Sequence, residues 1–315
     1  MKSLEPISED LVVPDLLERA AGVPPLTMAV CHPCDSLALA AAVAARAAGL
    51  ITPVLVGPES RVRQVAKASG IDLAGLSIVD VPHSHAAAAE AVALARRGEV
   101  EALMKGSLHT DELMAEVLHR ERGLRTERRV SHVFVMRVQG YPRLLLITDA
   151  AVNIAPCLEQ KVDIVQNAID LAVALGVKQP KVAILSAVET VTSKMRSTID
   201  AAALCKMADR GQITGGLLDG PLAFDNAVSL GAANVKGIHS PVAGVADILV
   251  VPDIESGNML AKQLEFFGQA ESAGIVLGAR VPIVLTSRAD SVDARVRSCV
   301  VASLVAHQQA QQVVG

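Results

Sequence analysis

The chain has 315 residues, of which 51% are hydrophobic and 20% are charged, and its formal net charge at pH 7 is −4. These values exclude an intrinsically disordered chain and give no general attraction to nucleic acid or anionic membrane. The chain has no Trp, one Tyr and four Phe, so a surface for stacking bases is also poorly supplied. At roughly 150 residues per domain, the length predicts two compact units.

The first residues and the cysteines indicate a cytoplasmic protein. Residues 1–5 carry early charges and do not resemble a secretory signal peptide. The longest apolar stretches, such as residues 38–45, are far shorter than the roughly 20 residues that cross a bilayer. Five scattered cysteines fit a reducing compartment better than a disulfide framework.

Short β-branched runs alternate with longer Ala-rich helical patterns in the first half of the chain, which predicts a parallel sheet covered by helices. A β-hairpin follows, with its turn at residues 140–142. The predicted strands are 27–30, 52–56, 100–104, 130–138 and 143–148, and the predicted helices are 37–48, 61–69, 86–97 and 107–118.

The alternation resumes in the second half of the chain, and no linker rich in Pro, Gly or Ser separates the halves. The two units are therefore expected to share a close interface and the cleft between them. The predicted helices are 158–175, 193–210, 258–268 and 292–309, and the predicted strands are 181–185, 212–218, 246–251 and 281–285.

Loops after the carboxyl ends of parallel strands hold the ligands of open α/β sheets, and three such loops are polar here. The first contains Lys105 and Gly106 and offers an ammonium group and backbone N–H groups to an anion. The second leads to Asn258, with Lys262 one turn further on. The third, residues 286–293, combines a hydroxyl, a guanidinium and carboxylates. Each loop also fits an ordinary capped helix start.

The histidines and cysteines give weaker signals. His132 lies inside a strand pattern and His239 precedes a Ser-Pro pair, so both are candidates for a pocket. Cys31 and Cys34 form a Cys-x-x-Cys motif, which is typical of thiol redox proteins. A zinc site would need two more ligands at suitable spacing, and no second Cys pair exists. Two ordinary thiols at a strand end are favoured, and no metal site is predicted.

From about residue 15 to the C-terminus, the sequence resembles the phosphate acetyl/butyryltransferase family. The matching stretches include the three polar loops and follow one another in the family's order. They are residues 103–106, 148–153, 218–225, 246–258 and 286–288.

The resemblance implies the reaction acyl-CoA plus phosphate to acyl phosphate plus CoA, with CoA and phosphate as substrates and no cofactor. It implies the α/β fold of isocitrate and isopropylmalate dehydrogenases, in which two domains flank a cleft. Residues 1–147 plus 277–315 would form the first domain, and residues 148–276 the second. We also expect a homo-oligomer, a dimer or larger, with no nucleic-acid or membrane partner.

The family's site residues correspond to positions in this chain. By that resemblance, Ser287 would stabilise the transition state and Arg288 would hold the phosphate or the thioester region. A carboxylate a few residues further on would deprotonate the CoA thiol. The residues expected to bind substrate are Lys105, Gly106, His132, Asn258 and, on the CoA side, Lys262.

The sequence departs from the acetyl-type pattern after Ser287. Those members carry an acidic pair six and seven residues later, where this chain has Asp293 and Ala294. Asp293 is therefore the predicted base, with Asp290 in reserve. The Thr-Ser-Arg-Ala-Asp-Ser run is similar to butyryl-type members and favours an acyl chain longer than acetyl. The basic residue that meets the phosphate stays open among Arg125, Arg128 and Arg129.

Two alternative functions stay open. A metal- and NAD-dependent dehydrogenase of the same fold would need an Asp cluster and a nucleotide site, and the chain shows no Gly-x-Gly-x-x-Gly motif. A non-catalytic sensor of acyl-CoA or acyl phosphate is suggested by Ala294 in place of an acid. The acyltransferase is favoured, because a carboxylate and an arginine can ionise a thiol whose pKa is about 8.5.

Overall fold

The computed structural model describes residues 16–314, which form an α/β fold built on one mixed sheet of 11 strands. Residues 1–5, expected to lack a signal peptide, lie outside the described residues. Across the described part of the chain, no helix combines the length and the apolar character that a bilayer crossing requires.

Strands and helices alternate along most of the described chain, as the sequence predicts. The strands are β1 Leu26–Cys31, β2 Ile51–Gly57, β3 Ser77–Asp80, β4 Ala102–Lys105, β5 Ser131–Arg137, β6 Leu144–Thr148, β7 Lys181–Leu185, β8 Leu217–Leu222, β9 Ile248–Val250, β10 Glu271–Leu277 and β11 Ile283–Val284. The helices are α1 Leu16–Ala21, α2 Ser36–Ala47, α3 Glu59–Ser69, α4 Ser84–Arg96, α5 Thr110–Val117, α6 Leu158–Ala174, α7 Arg196–Asp209, α8 Phe224–Val228, α9 Leu230–Val235, α10 Ile254–Phe266 and α11 Val292–Val314.

The strand order is β3-β2-β1-β4-β11-β10-β5-β6-β9-β7-β8. The five strands β3 to β11 at one end of this order are parallel, as are the four strands β6, β9, β7 and β8 at the other. Antiparallel pairing of β10 and β5 joins the two parallel blocks into one sheet. The predicted hairpin is confirmed as β5 and β6, with Val133 opposite Thr148.

Several predicted boundaries differ from the structure. The strand predicted over 212–218 is wrong, because the chain turns at Gly215, where φ is +85°, and β8 starts only at Leu217. Strand β8 contains Pro221, which an edge strand accepts because one side of it needs no ladder hydrogen bond.

Helix α10 begins four residues before the predicted start at 258. The Asp253 side chain accepts a hydrogen bond from the Ser256 backbone N–H and so caps the earlier turn. Strand β10 was not predicted at all, because its sequence of small and polar residues followed by three apolar ones gives no clear alternation. Its pairing with β5 and β11 on both sides supplies the stability that the local pattern lacks.

Helices cover both faces of the sheet. On one face a single apolar cluster packs under α2, α3, α6, α7 and α11. On the other face the apolar side chains form two separate clusters. The α4–α5 cluster includes Leu103, Leu113 and Ile283, and the α8–α10 cluster includes Met136, Leu249 and Ala261.

His132 lies on the face with two clusters. Side chains alternate along a strand, so His132 shares this face with Phe134 and Met136 of the α8–α10 cluster. Its β10 partner is Val276 of the α4–α5 cluster. The imidazole therefore stands where the apolar packing of this face changes from one cluster to the other.

The buried ion pair of Lys161 and Asp200, with Nζ and Oδ2 2.8 Å apart, connects α6 to α7. We expect Lys161→Met to lower the free energy of unfolding by about 3 kcal/mol, because it leaves a buried carboxylate without its close partner. Lys206→Met, in the exposed pair with Asp209, is the matched control and should leave the free energy of unfolding nearly unchanged. Urea unfolding followed by circular dichroism measures both, and equal losses would contradict the argument.

Candidate functional site

The loops after β1, β4 and β11 meet at one edge of the sheet, because these three strands are adjacent and parallel. The first two loops are joined by backbone hydrogen bonds, from Gly106 N to Cys31 O at 2.9 Å and from Ser107 N to His32 O at 2.8 Å. A Cβ on Gly106 would lie 2.5 Å from the Cys31 carbonyl oxygen. The predicted Gly106 is therefore the residue that allows these two loops to approach each other.

Three consecutive backbone carbonyls after β11 each accept a hydrogen bond from a different buried basic side chain. His132 Nε2 lies 3.3 Å from Leu285 O, and Lys105 Nζ lies 3.4 Å from Thr286 O. The third donor, Arg295 Nη2, lies 3.0 Å from Ser287 O. These donors come from β5, β4 and α11, so the carbonyl series 285–287 is fixed by three separate elements.

Ser287 and Arg288 lie at the exposed end of the carbonyl series. The Ser287 backbone N–H donates to Asp290 Oδ2 at 2.6 Å, and the Asp290 N–H donates back to Ser287 O at 3.2 Å. Asp290 is half-buried. This tight turn places a hydroxyl, a guanidinium and a carboxylate within four residues, and the first two are open to a ligand.

The site carries more positive than negative charge. Burial lowers the pKa of Lys105, and the Arg295 and Arg288 guanidinium groups lower it further. Burial also lowers the pKa of Arg295, while Asp35 and Asp290 act in the opposite direction. Cations that disfavour one another in a buried setting favour the binding of an anion beside them.

Asp293, the predicted base, lies elsewhere. It is exposed in the first turn of α11 and lines a cavity of about 380 Å³ together with Leu16, Val135 and Ala273. Val135 and Ala273 belong to the single apolar cluster, on the sheet face opposite His132. The structure thus brings Asp290, the reserve candidate, close to Ser287 and places Asp293 against a different surface.

Asn258 and Lys262 lie on α10, on the same side of the helix because they are four residues apart. The Asn258 side chain donates to the Ala150 carbonyl at 3.2 Å, and Lys262 is exposed. Among the contacts of the described residues, none joins this pair to the carbonyl series. They lie beside the chain that follows β6.

The buried carboxylate of Asp149 organises that segment. It accepts hydrogen bonds from the backbone N–H groups of Ala151, Val152 and Asn153 and from the Asn153 side chain. Residues 148–153 are one of the stretches that carry the family resemblance, which is the signal that could have identified this carboxylate. Asp149 also acts to raise the pKa of His132.

The three arginines left open for phosphate line another cavity of about 380 Å³, with Asn153 and Asp163. Arg129 Nε donates to Asn153 Oδ1 at 2.7 Å, and Arg128 pairs with Asp170. All three arginines are exposed, and Arg128 and Arg129 already have partners inside the protein.

Both cysteines of the Cys-x-x-Cys motif are buried, with Cys31 at the end of β1 and Cys34 three residues further on. Burial raises the pKa of both Cys31 and Cys34, which keeps the reactive thiolate form scarce. Within residues 16–314, no group of three or more His, Cys, Asp or Glu side chains is arranged to hold a metal ion. His239 is exposed.

Sequence reasoning did not find Arg295, which is fully buried. Its neighbours on the same side of α11 include Ser298, Cys299 and Ala302, all buried. A single arginine within an otherwise small and apolar helix face is the signal that could have identified it.

The chain is similar to known proteins over most of its length. A family model described as phosphate acetyl/butaryl transferase matches residues 84–303. A Rhizobium meliloti protein named phosphate acetyltransferase is 64% identical over 299 residues, which is 95% of each chain. A Clostridium beijerinckii phosphate butyryltransferase is 42% identical over 292 residues, covering 93% of this chain and 97% of the other.

Solved structures give the same result. A branched-chain phosphotransacylase from Enterococcus faecalis V583 is 32% identical, with a TM-score of 0.78, covering 90% of this chain and 99% of the other. A 4-hydroxythreonine-4-phosphate dehydrogenase from Burkholderia phymatum is 12% identical, with a TM-score of 0.53, covering 90% and 98%. At that identity the second likeness shows the fold alone, which is the dehydrogenase-like α/β fold that the sequence resemblance implied.

His132 generates a pH prediction. A carbonyl oxygen only accepts, so Nε2 carries the proton, and Nδ1 is buried without a partner among the described residues. Burial lowers the pKa of His132 below its ordinary value of 6.5, with Asp149 acting against the shift. As the pH falls, His132 therefore takes up its proton at a higher pH in the unfolded chain than in the folded one. Stability should therefore decline as the pH drops below about 6.5, by at most about 1.4 kcal/mol per pH unit for one proton.

His132→Gln should flatten this decline, because Gln still donates to Leu285 O but does not titrate. The measurement is urea unfolding at a series of pH values from about 5 to 7.5. The exposed His239→Gln is the matched control and should keep the wild-type slope. A steep decline that persists in His132→Gln would refute this assignment.

Proposed function

The chain belongs to the phosphate acetyl/butyryltransferase family, and we propose that the turn formed by Ser287, Arg288 and Asp290 is the centre of its active site. The enzyme moves a short acyl group between CoA and inorganic phosphate: acyl-CoA plus phosphate gives acyl phosphate plus CoA. The observation that carries the site assignment is the exposed hydroxyl and guanidinium at the end of a carbonyl series fixed by three buried basic groups.

In the direction that forms acyl-CoA, the reactants are acyl phosphate and the CoA thiol. The CoA thiol loses its proton to a carboxylate, and the thiolate sulfur attacks the acyl carbonyl carbon. The carbonyl oxygen becomes an oxyanion, and the carbon–oxygen bond to phosphate then breaks, so that phosphate leaves with the bonding electrons. Arg288 binds the phosphoryl group, Ser287 donates to the oxyanion, and the nearby Lys105 adds positive charge.

We assign the base to Asp290 in place of Asp293. Asp290 is half-buried and lies against the Ser287 backbone, whereas Asp293 lines a cavity on the opposite face of the sheet. A base has to come within hydrogen-bond distance of the proton that it takes, so the position beside Ser287 supports Asp290.

The substrate cleft is assigned to the sheet face that carries His132. The apolar packing of that face divides into the α4–α5 cluster and the α8–α10 cluster, which supports two α/β units on either side of a cleft. Residues 1–147 plus 277–315 would form one unit and residues 148–276 the other, on one continuous sheet. Asn258 and Lys262 of the second unit are assigned to the CoA side, where an exposed ammonium can meet a CoA phosphate.

The acyl group is proposed to be acetyl. The relative named phosphate acetyltransferase is 64% identical, whereas the one named phosphate butyryltransferase is 42% identical. This revises the longer chain that residues 286–291 favoured. No cofactor beyond the substrates is proposed, because a carboxylate and an arginine suffice to activate a thiol.

We further propose that the protein is a homo-oligomer and that it is located in the cytoplasm. The side chains of Val235, Phe266 and Phe267 are 89%, 73% and 87% exposed, which supports an apolar contact between copies. All five cysteines are free, which supports a reducing compartment. Light scattering of the purified protein tests the first statement, and a monomeric mass would oppose it.

Thiol release from an acyl-CoA series tests the function. We expect phosphate-dependent release that is fastest with acetyl-CoA and survives removal of metals by a chelator. Arg288→Ala should lower turnover by roughly 10²-fold, because a charged contact to the transition state is lost. Arg280→Ala, an exposed arginine before β11, is the control and should remain active. CoA binding without turnover by the wild-type enzyme would favour the sensor, and full activity of Arg288→Ala would remove the site assignment.

Asp290→Asn tests the base. The amide oxygen can still accept from Ser287 N–H, but it cannot take a proton, so the rate from acyl phosphate should fall about 10²-fold at pH 7. The remaining rate should rise with pH as the CoA thiol ionises by itself, because the ordinary pKa of a thiol is about 8.5. Asp293→Asn should stay within about twofold of wild type. A loss confined to Asp293→Asn would reverse the assignment.

A further inference from the structure

Arg295 is an unusual side chain for the interior of a helix-covered sheet. It is 0% exposed, and among the described residues it forms no ion pair with a carboxylate. Its Nη1 donates to the Lys105 carbonyl at 3.4 Å and its Nη2 to the Ser287 carbonyl at 3.0 Å. Its Nε is buried without a partner in this part of the chain.

Stability alone does not account for this residue. Burying a guanidinium without a paired carboxylate is costly, and an apolar side chain of similar volume is often neutral or stabilising at such a position. The two backbone contacts also differ from the usual role of a buried arginine, because they join two loops rather than neutralise a charge.

The two contacted carbonyls belong to the loops that carry the candidate site. The Ser287 carbonyl is part of the peptide group that continues into Arg288, so a hydrogen bond to it sets the orientation of the Ser287–Arg288 peptide. The Lys105 carbonyl precedes Gly106, whose N–H is bonded to Cys31 O. One planar guanidinium therefore fixes the distance between the Lys105 loop and the Ser287 loop.

We propose that Arg295 is a positioning residue for acyl transfer: its guanidinium connects the carbonyls of Lys105 and Ser287 and so holds Arg288 and Ser287 in the orientation that the reaction requires. The inference rests on the proposed function. His132 and Lys105 fix the carbonyls of Leu285 and Thr286, and of the three buried basic side chains it is Arg295 that contacts the peptide next to Arg288. Small displacements of aligned groups cost about 10²-fold in rate, so the last contact matters most.

A double-mutant cycle tests the proposal. Arg295→Met should lower kcat by about 10- to 100-fold while the KM values for acetyl-CoA and phosphate change less than about threefold. In the Arg288→Ala background the same change should cost less than about threefold, because the residue that it positions is already absent. Arg295→Lys should fall between Met and wild type, since one ammonium cannot donate to both carbonyls in the arginine geometry.

Arg297→Met is the matched control. Arg297 lies two residues further along α11 and donates from Nε to the Ser272 carbonyl at 3.1 Å, but it contacts neither site loop. Its replacement should leave kcat within about twofold of wild type. Thermal unfolding of each variant shows whether it is folded at the assay temperature, and if Arg295→Met is not, the cycle is run with Arg295→Lys.

Three outcomes would overturn the proposal: wild-type kcat in the Arg295 variant, losses that multiply in the double variant, or an equal loss in Arg297→Met. These outcomes differ from a failure of the proposed function. If the wild-type enzyme releases no thiol from any acyl-CoA, the function falls; if it does and Arg288→Ala is impaired while Arg295→Met is not, only the role of Arg295 falls.

Discussion

The hydrogen bonds from His132, Lys105 and Arg295 to three successive carbonyls are the interaction on which the loop of the proposed active site depends. A loop that presents exposed reactive side chains has few apolar contacts of its own, so its conformation has to be fixed through its backbone. Here the donors are buried, and each comes from a different element. Hydrogen bonds from β4, β5 and α11 therefore fix the backbone of this loop, while the side chains of Ser287 and Arg288 remain exposed.

The sheet topology explains why these donors converge. Strands β4 and β11 are adjacent and parallel, and β10 lies between β11 and β5, so the start of β5 comes within two strands of the Ser287 loop. Gly274 of β10 makes the approach possible, because a Cβ there would lie 2.5 Å from Leu285 O and 3.1 Å from His132 Nε2. The antiparallel strands at the centre thus do more than join two parallel blocks. Strand β5 also brings the His132 side chain to the carbonyl of Leu285, in the loop after β11.

Charge is distributed unevenly around the loop. Lys105, Arg288 and Arg295 are offset by Asp35 and Asp290, which leaves a net positive charge beside the exposed pair. In the proposed site this charge would attract phosphate and the phosphates of CoA, and it would favour the thiolate over the thiol. In the proposal Asp290 has two roles. Its carboxylate accepts a hydrogen bond from the Ser287 N–H, and it takes the proton of the CoA thiol.

The sequence by itself determined the α/β class, most helices, the hairpin and the polar loops, because apolar periodicity, glycine helix ends and turn residues are local signals. The family resemblance added the reaction and the Ser287–Arg288 pair. Strand β10 was decided only by the tertiary structure, and the proposal of Asp290 in place of Asp293 rests on it. Strand β10 is stable through its two neighbours, and only three residues separate Asp290, beside Ser287, from Asp293, which lines a cavity on the opposite face. The contact on which the proposed role of Arg295 rests is likewise invisible in sequence, since a guanidinium 190 residues from Lys105 meets that residue's carbonyl only when the sheet is assembled.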